Sequence, residues 1–156
     1  MMRALLLRVK SFVKRSCKHP YFPFLTSEVI CEAGLDIAKR RNAYTQTIIL
    51  RGSCKLFSLV GLENELHRHI NGFSISHNEE EVQVWGHYAV VDEDGVRCYR
   101  CRIRRFSFAD LKGEERWTAY RFVRNVYDLW VPGHFKRICS VIDMCPTDGG
   151  FDDVLD

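Results

Sequence analysis

The sequence predicts one α+β domain: a single, mostly antiparallel sheet of about four to six strands, with N-terminal helices and a long C-terminal helix. Three observations carry this. Apolar residues recur at helical spacing up to Arg41, alternate from Thr45 to Phe108, and return to helical spacing from Ala109 to Trp130. The chain has 156 residues, the size of one domain. Hydrophobic residues make up 46% of it, enough to bury a core.

Residues 1–147 are expected to form the domain, with residues 1–19 as a basic amphipathic N-terminal helix and residues 148–156 as an acidic disordered tail. Between Met2 and Arg15 the apolar stripe is Leu5, Leu6, Val9, Phe12 and Val13, ringed by arginine and lysine. Pro20 and Pro23 break the chain. Ser27 is placed to cap a second helix over residues 28–41, whose last turn holds Lys39, Arg40 and Arg41, where positive charge suits the helix dipole. Alternation then predicts strands over 45–50 and 54–60 around Arg51-Gly52-Ser53, a short helix over 62–70, and strands over 73–76, 82–91 and 96–108. Asp92-Glu93-Asp94-Gly95 joins the last two as a hairpin turn. Trp117, Tyr120, Tyr127 and Trp130 step along one face of the long helix, which Pro132-Gly133 should stop. Helices are expected on one face of the sheet.

Charge is unevenly spread. The net charge is +3, yet the last nine residues hold four aspartates and no base; without them 23 basic residues face 16 acidic ones, a net of +7. A body of that sign favours phosphate-bearing or other anionic partners. Arg97, Arg100, Arg102, Arg104 and Arg105 fall within one predicted strand. On a regular strand Arg100, Arg102 and Arg104 share a face, roughly 6.5–7 Å apart, close to the phosphate spacing of a nucleic-acid strand. Arg124 on the next helix extends the patch. The competing reading is a solvated face, its arginines paired with Glu79, Glu80, Glu81, Asp92 or Glu93.

Seven cysteines and no secretory signal point to an intracellular chain, cytoplasmic or nuclear, with free or metal-bound thiols. Cys98 and Cys101 form a C-x-x-C; with His134 and Cys139 they make a candidate zinc tetrad, and no other cofactor is expected. A regular strand puts Cys98 and Cys101 on opposite faces, so that site needs a bulge. No phosphate-loop, dinucleotide-binding, nucleophile-elbow or zinc-protease motif occurs, and no catalytic residue is assigned.

A small basic α+β chain with this C-x-x-C and no catalytic motif resembles the silencing-suppressor and movement proteins encoded by the first reading frame of sobemoviruses. The resemblance implies a viral accessory protein that suppresses host RNA silencing. The expectation is therefore a non-enzymatic protein that binds RNA or an acidic host protein through the arginine strand. The alternatives are a protein-interaction module with a basic face, or a small zinc-binding regulator. An anionic membrane surface, met through the segment from Met2 to Arg15, is a further partner.

Overall fold

The computed structural model describes residues 23–31 and 34–145; the expected basic helix (1–19) and acidic tail (148–156) lie outside the described residues. The order is β1 (Leu25–Val29), α1 (Leu35–Ser58), β2 (Ile70–His77), β3 (Glu81–Asp92), β4 (Gly95–Ser107), α2 (Thr118–Asn125) and α3 (Val131–Met144). The four strands form one sheet in the order β1-β2-β3-β4. β1 runs parallel to β2, with α1 as the crossover, and the other pairs are antiparallel. The fold is α+β. Helices cover both faces rather than one. Ala89 joins Cys54 and Phe57 of α1 in one cluster, while Ile75, Val82, Val84 and Phe106 pack against Phe122 and Val123 of α2. Alternate residues point to opposite sides, and here both sides are apolar enough to need cover.

α1 is the largest departure from the sequence reading. One helix replaces the expected helix over 28–41 and the two strands over 45–50 and 54–60, and residues 25–29 are a strand instead. The reason is visible on its buried face: Ala38, Asn42, Gln46, Leu50, Ser53, Cys54 and Phe57. These recur at helical spacing, but Asn42, Gln46 and Ser53 are polar, so hydrophobicity alone hides the period. Meanwhile Thr45, Thr47, Ile48 and Ile49 imitate a strand, and tertiary packing overrides that propensity. The polar residues are used. Asn42 Nδ2 donates to Ile75 O at 3.0 Å and Ser76 Oγ at 2.9 Å. Gln46 Nε2 donates to Phe73 O at 2.9 Å and Thr26 Oγ1 at 3.2 Å. A Cβ on Gly72 would stand 2.2 Å from Gln46 Oε1. Because that amide is pinned at its other end, Gly72→Ala is expected to cost roughly 1–2 kcal/mol by overpacking, read as a lowered urea midpoint.

The β3–β4 hairpin matches expectation, with Gly95 at φ 117 closing the turn. The expected long C-terminal helix is present, but it starts later and runs further than 109–130, from 114 to 144. Leu111, Lys112 and Gly113 are left-handed at φ 52, 56 and 88. A tight turn (Glu114–Trp117) leads into α2, and a π-helical turn (Val126–Trp130) links α2 to α3. Pro132 does not stop the helix. It lies in the first turn of α3, where its missing N–H is not needed, and Val131 N–H reaches back five residues to Val126 O. The buried side of this region is Ala119, Phe122, Val123 and Val126, with Trp130 against Phe73. Trp117, Tyr120 and Tyr127 are 53%, 61% and 53% exposed, so the predicted aromatic stripe faces outward except at Trp130. Among the described residues no helix is long and apolar enough to cross a membrane.

Candidate nucleic-acid interface

β4 is an edge strand: its thirteen residues pair with β3 alone, and most of its side chains are exposed. Its register decides where each arginine goes. Arg100 stands opposite His87 and Arg102 opposite Trp85, but Arg104 stands opposite Val84, the next residue along β3. Ile103 is therefore an extra residue, a β-bulge. It corrects the expected common face of three arginines. Arg100, Arg102 and Arg105 lie on the α1 side, and Arg104 lies on the α2 side. The run is a rim wrapped around the sheet edge.

Carboxylates of the same chain hold some of this rim. Arg97 pairs with Asp92 in the hairpin, and Arg105 with Glu81. Arg104 Nη2 meets Glu115 Oε1 at 2.5 Å, and Glu115 also accepts from Thr118 Oγ1 at 2.5 Å. Arg124 Nε reaches Asp128 at 3.2 Å, one turn along. Burial pushes the Glu81 carboxyl up, but hydrogen bonds from Gln83 and Arg105 outweigh it and hold the group below its ordinary value. Arg100 and Arg102 make no ion pair among the described residues. Arg100 lies 4.7 Å over the Trp85 ring and donates through Nη1 to Lys39 O at 3.0 Å, tying β4 to α1. Arg102 is exposed.

α1 adds cations that the sequence reading assigned to a helix end. Lys39, Arg40 and Arg41 sit inside α1; the Lys39 carbonyl accepts from Arg100 while its ammonium pairs with Asp36 at 2.5 Å, Arg41 lies 3.8 Å from Glu28, and Arg40 is exposed. The missed signal was Trp85. A tryptophan two residues before His87 on a predicted strand shares a side with it, and both stand under arginines of β4. His87 is buried and hydrogen-bonds Ser74 Oγ through Nε2 at 2.8 Å. Burial, with Arg100 nearby, pushes its pKa down to about 4, so the ring is neutral at pH 7.

On the α2 side two clefts adjoin. One of about 460 Å³ is lined by Ile103, Arg104, Glu115, Arg121, Phe122 and Asn125 among others. Its neighbour of about 450 Å³ includes Trp117, Tyr120, Arg121, Arg124 and Asn125.

The four candidate zinc ligands are not brought together. Between Cys98, opposite Ala89, and Cys101, opposite Gly86, the register is regular, so the two thiols lie on opposite faces. The bulge falls two residues too late to reunite them. Burial pushes the Cys98 thiol up, with Arg51 offsetting part of this, and burial beside Cys98 pushes Cys54 up to about 11. His134 is buried in α3, stacked 4.3 Å from Trp130. Cys139 is half-buried one turn further on. No group of three metal-ligating side chains occurs among the described residues.

A family model described as a domain of unknown function, DUF7924, matches residues 4–142. The chain belongs to this family. That match spans the whole sheet and the arginine rim, and nothing in it concerns sobemovirus proteins. No curated protein and no solved structure matches this DUF7924 member.

Proposed function

We propose that this DUF7924 member is a non-enzymatic RNA-binding accessory protein that takes phosphates along the sheet edge at Arg100 and Arg102, with Arg40 alongside. One observation carries the reading. In a rim where Arg97, Arg104 and Arg105 each hold a carboxylate, the two central arginines hold none among the described residues. They lie on one side of a strand, roughly 6.5–7 Å apart, and guanidinium is well shaped for phosphate. Coating RNA in this way fits the silencing-suppressor role that the sobemovirus resemblance implies.

The test is binding to labelled RNA as a function of salt. Arg102→Ala, whose side chain makes no ion pair among the described residues, is expected to weaken binding at least about tenfold. It should also lower the slope of log affinity against log salt by about 0.7 on a single strand. Arg100→Ala should do the same, with its thermal midpoint checked because it bonds α1. Salt-independent binding, or unchanged affinity in Arg102→Ala, removes the reading. A second reading is an acidic protein partner. It is favoured by the carboxylates already seated on Arg97, Arg104 and Arg105, since the same geometry suits Asp and Glu from outside.

A further inference from the structure

We infer that the outer face of α2 is a base-stacking platform, so that the nucleic acid held at β4 is single-stranded; this rests on the reading of Arg100 and Arg102 as phosphate contacts. Trp117 and Tyr120 are more than half exposed, with ring centroids 6.3 Å apart and planes at 76°. Arg116 lies 5.7 Å over the Trp117 ring. Neither ring is needed to hold the helix down, because Ala119, Phe122 and Val123 face the sheet core and Val126 the Phe24–Phe73 cluster. Large aromatic surface left in water beside guanidinium groups is what unpaired bases use, since every base has a π-face.

The cleft beside these rings adds hydrogen-bonding groups for base edges: Asn125, Asp128 and the guanidinium of Arg121. It is joined to the proposed phosphate track. Arg121 and Asn125 line both this cleft and the next, and the next reaches Ile103 and Arg104 on β4. The bulge at Ile103 creates this continuity, because it turns the strand from the Arg102 side to the α2 side. A backbone on Arg100 and Arg102 that follows the edge therefore brings its bases towards Trp117. A duplex keeps its bases stacked inside and cannot present them. The two sides also differ in charge. Arg104 and Arg124 are already paired with Glu115 and Asp128, and the two rings carry no charge, so their contribution is by stacking and adds no salt dependence of its own.

Fluorescence anisotropy of the full chain with a uridine-rich single strand, and with a duplex of equal length, tests this. The single strand should bind more tightly. Trp117→Ala and Tyr120→Ala should each weaken it about tenfold, leave duplex binding unchanged and leave the salt slope unchanged. Trp117→Phe should retain most of the affinity, which guards against a folding defect. A parent that prefers duplex, or a folded Trp117→Ala with parental affinity, overturns the platform. If Arg102→Ala still weakens binding in that case, the phosphate reading survives alone. If Trp117→Ala weakens binding and Arg102→Ala does not, the platform survives and the phosphate reading falls. No binding of either RNA by the parent removes both and leaves the acidic-protein reading.

Discussion

Gln46→Ala is expected to destabilise the protein by about 3–4 kcal/mol, measured as a fall in the urea-unfolding free energy. Gln46 is fully buried in α1, and its amide donates to two different strands: to Thr26 Oγ1 on β1 and to Phe73 O on β2. Those strands are the parallel pair that α1 connects, so one side chain joins all three parts of the β-α-β unit. Truncation removes both hydrogen bonds and leaves a void where the side chain packed. Leaving a buried acceptor unsatisfied costs about 1–3 kcal/mol, and the lost packing adds to it. Asn42, one turn earlier and bonded to Ile75 O and Ser76 Oγ, should show a cost of the same sign. The two will not add simply, because both hold β2. A loss below about 1 kcal/mol for Gln46→Ala would mean that water replaces the amide, and the joint described here would be wrong.

The same residue explains what the sequence hid. The β3–β4 hairpin was legible because its signals are local: alternation on both arms and a glycine at the turn. α1 was not, because its buried stripe passes through Asn42, Gln46 and Ser53, whose fitness for burial depends on carbonyls and hydroxyls of strands roughly thirty residues away. A hydrophobicity pattern cannot see a partner at that distance. The run Thr45, Thr47, Ile48 and Ile49 then argued for a strand, and it lost to the packing of the rest of the helix. At the C-terminal end Pro132 was read as a stop, but the π-helical turn before it moves the proline into a first turn, where it is tolerated.

The candidate site was legible as composition and not as geometry. Five arginines within nine residues of one strand were plain in the sequence. Their division between two sides of the sheet was not, since a single bulge at Ile103 reverses the alternation and no residue type announces it. That bulge also falls outside the Cys98–Cys101 interval, so it splits the arginines without rescuing the thiol pair. Trp117 and Tyr120 face outward because Ala119, Phe122 and Val123 take the side of α2 that packs on the sheet, a choice between two apolar stripes that spacing alone does not make.

Acid should destabilise this fold well above the carboxylate range. His87 and His134 both have pKa values pushed down to about 4, in each case by burial first and then by a nearby arginine, Arg100 for one and Arg137 for the other. Each ring is neutral in the fold, and its unfolded counterpart has the ordinary value of 6.5. Below pH 6.5 the unfolded chain takes up protons that the folded chain refuses until about pH 4, so stability contributed above 6.5 is lost progressively across that window. At about 1.4 kcal/mol per pKa unit, the two together account for a loss on the order of 6 kcal/mol at pH 4, an upper figure because local opening lets the rings protonate sooner. The urea midpoint should therefore fall steadily from pH 7 to pH 4. His134→Phe separates the two contributions. The new ring can still stack on Trp130, whereas His134 Nδ1 has no hydrogen-bond partner among the described residues, so little polar contact is given up. The variant should match or exceed the parent at pH 7 and lose only about half as much on acidification. His87→Gln should remove the other half, at some cost at pH 7 through its bond to Ser74. A midpoint that stays level between pH 7 and pH 5 would show that neither ring is held neutral. The burial of the two rings, 3% exposed at His87 and 6% at His134, would then have to be less complete than the fold implies.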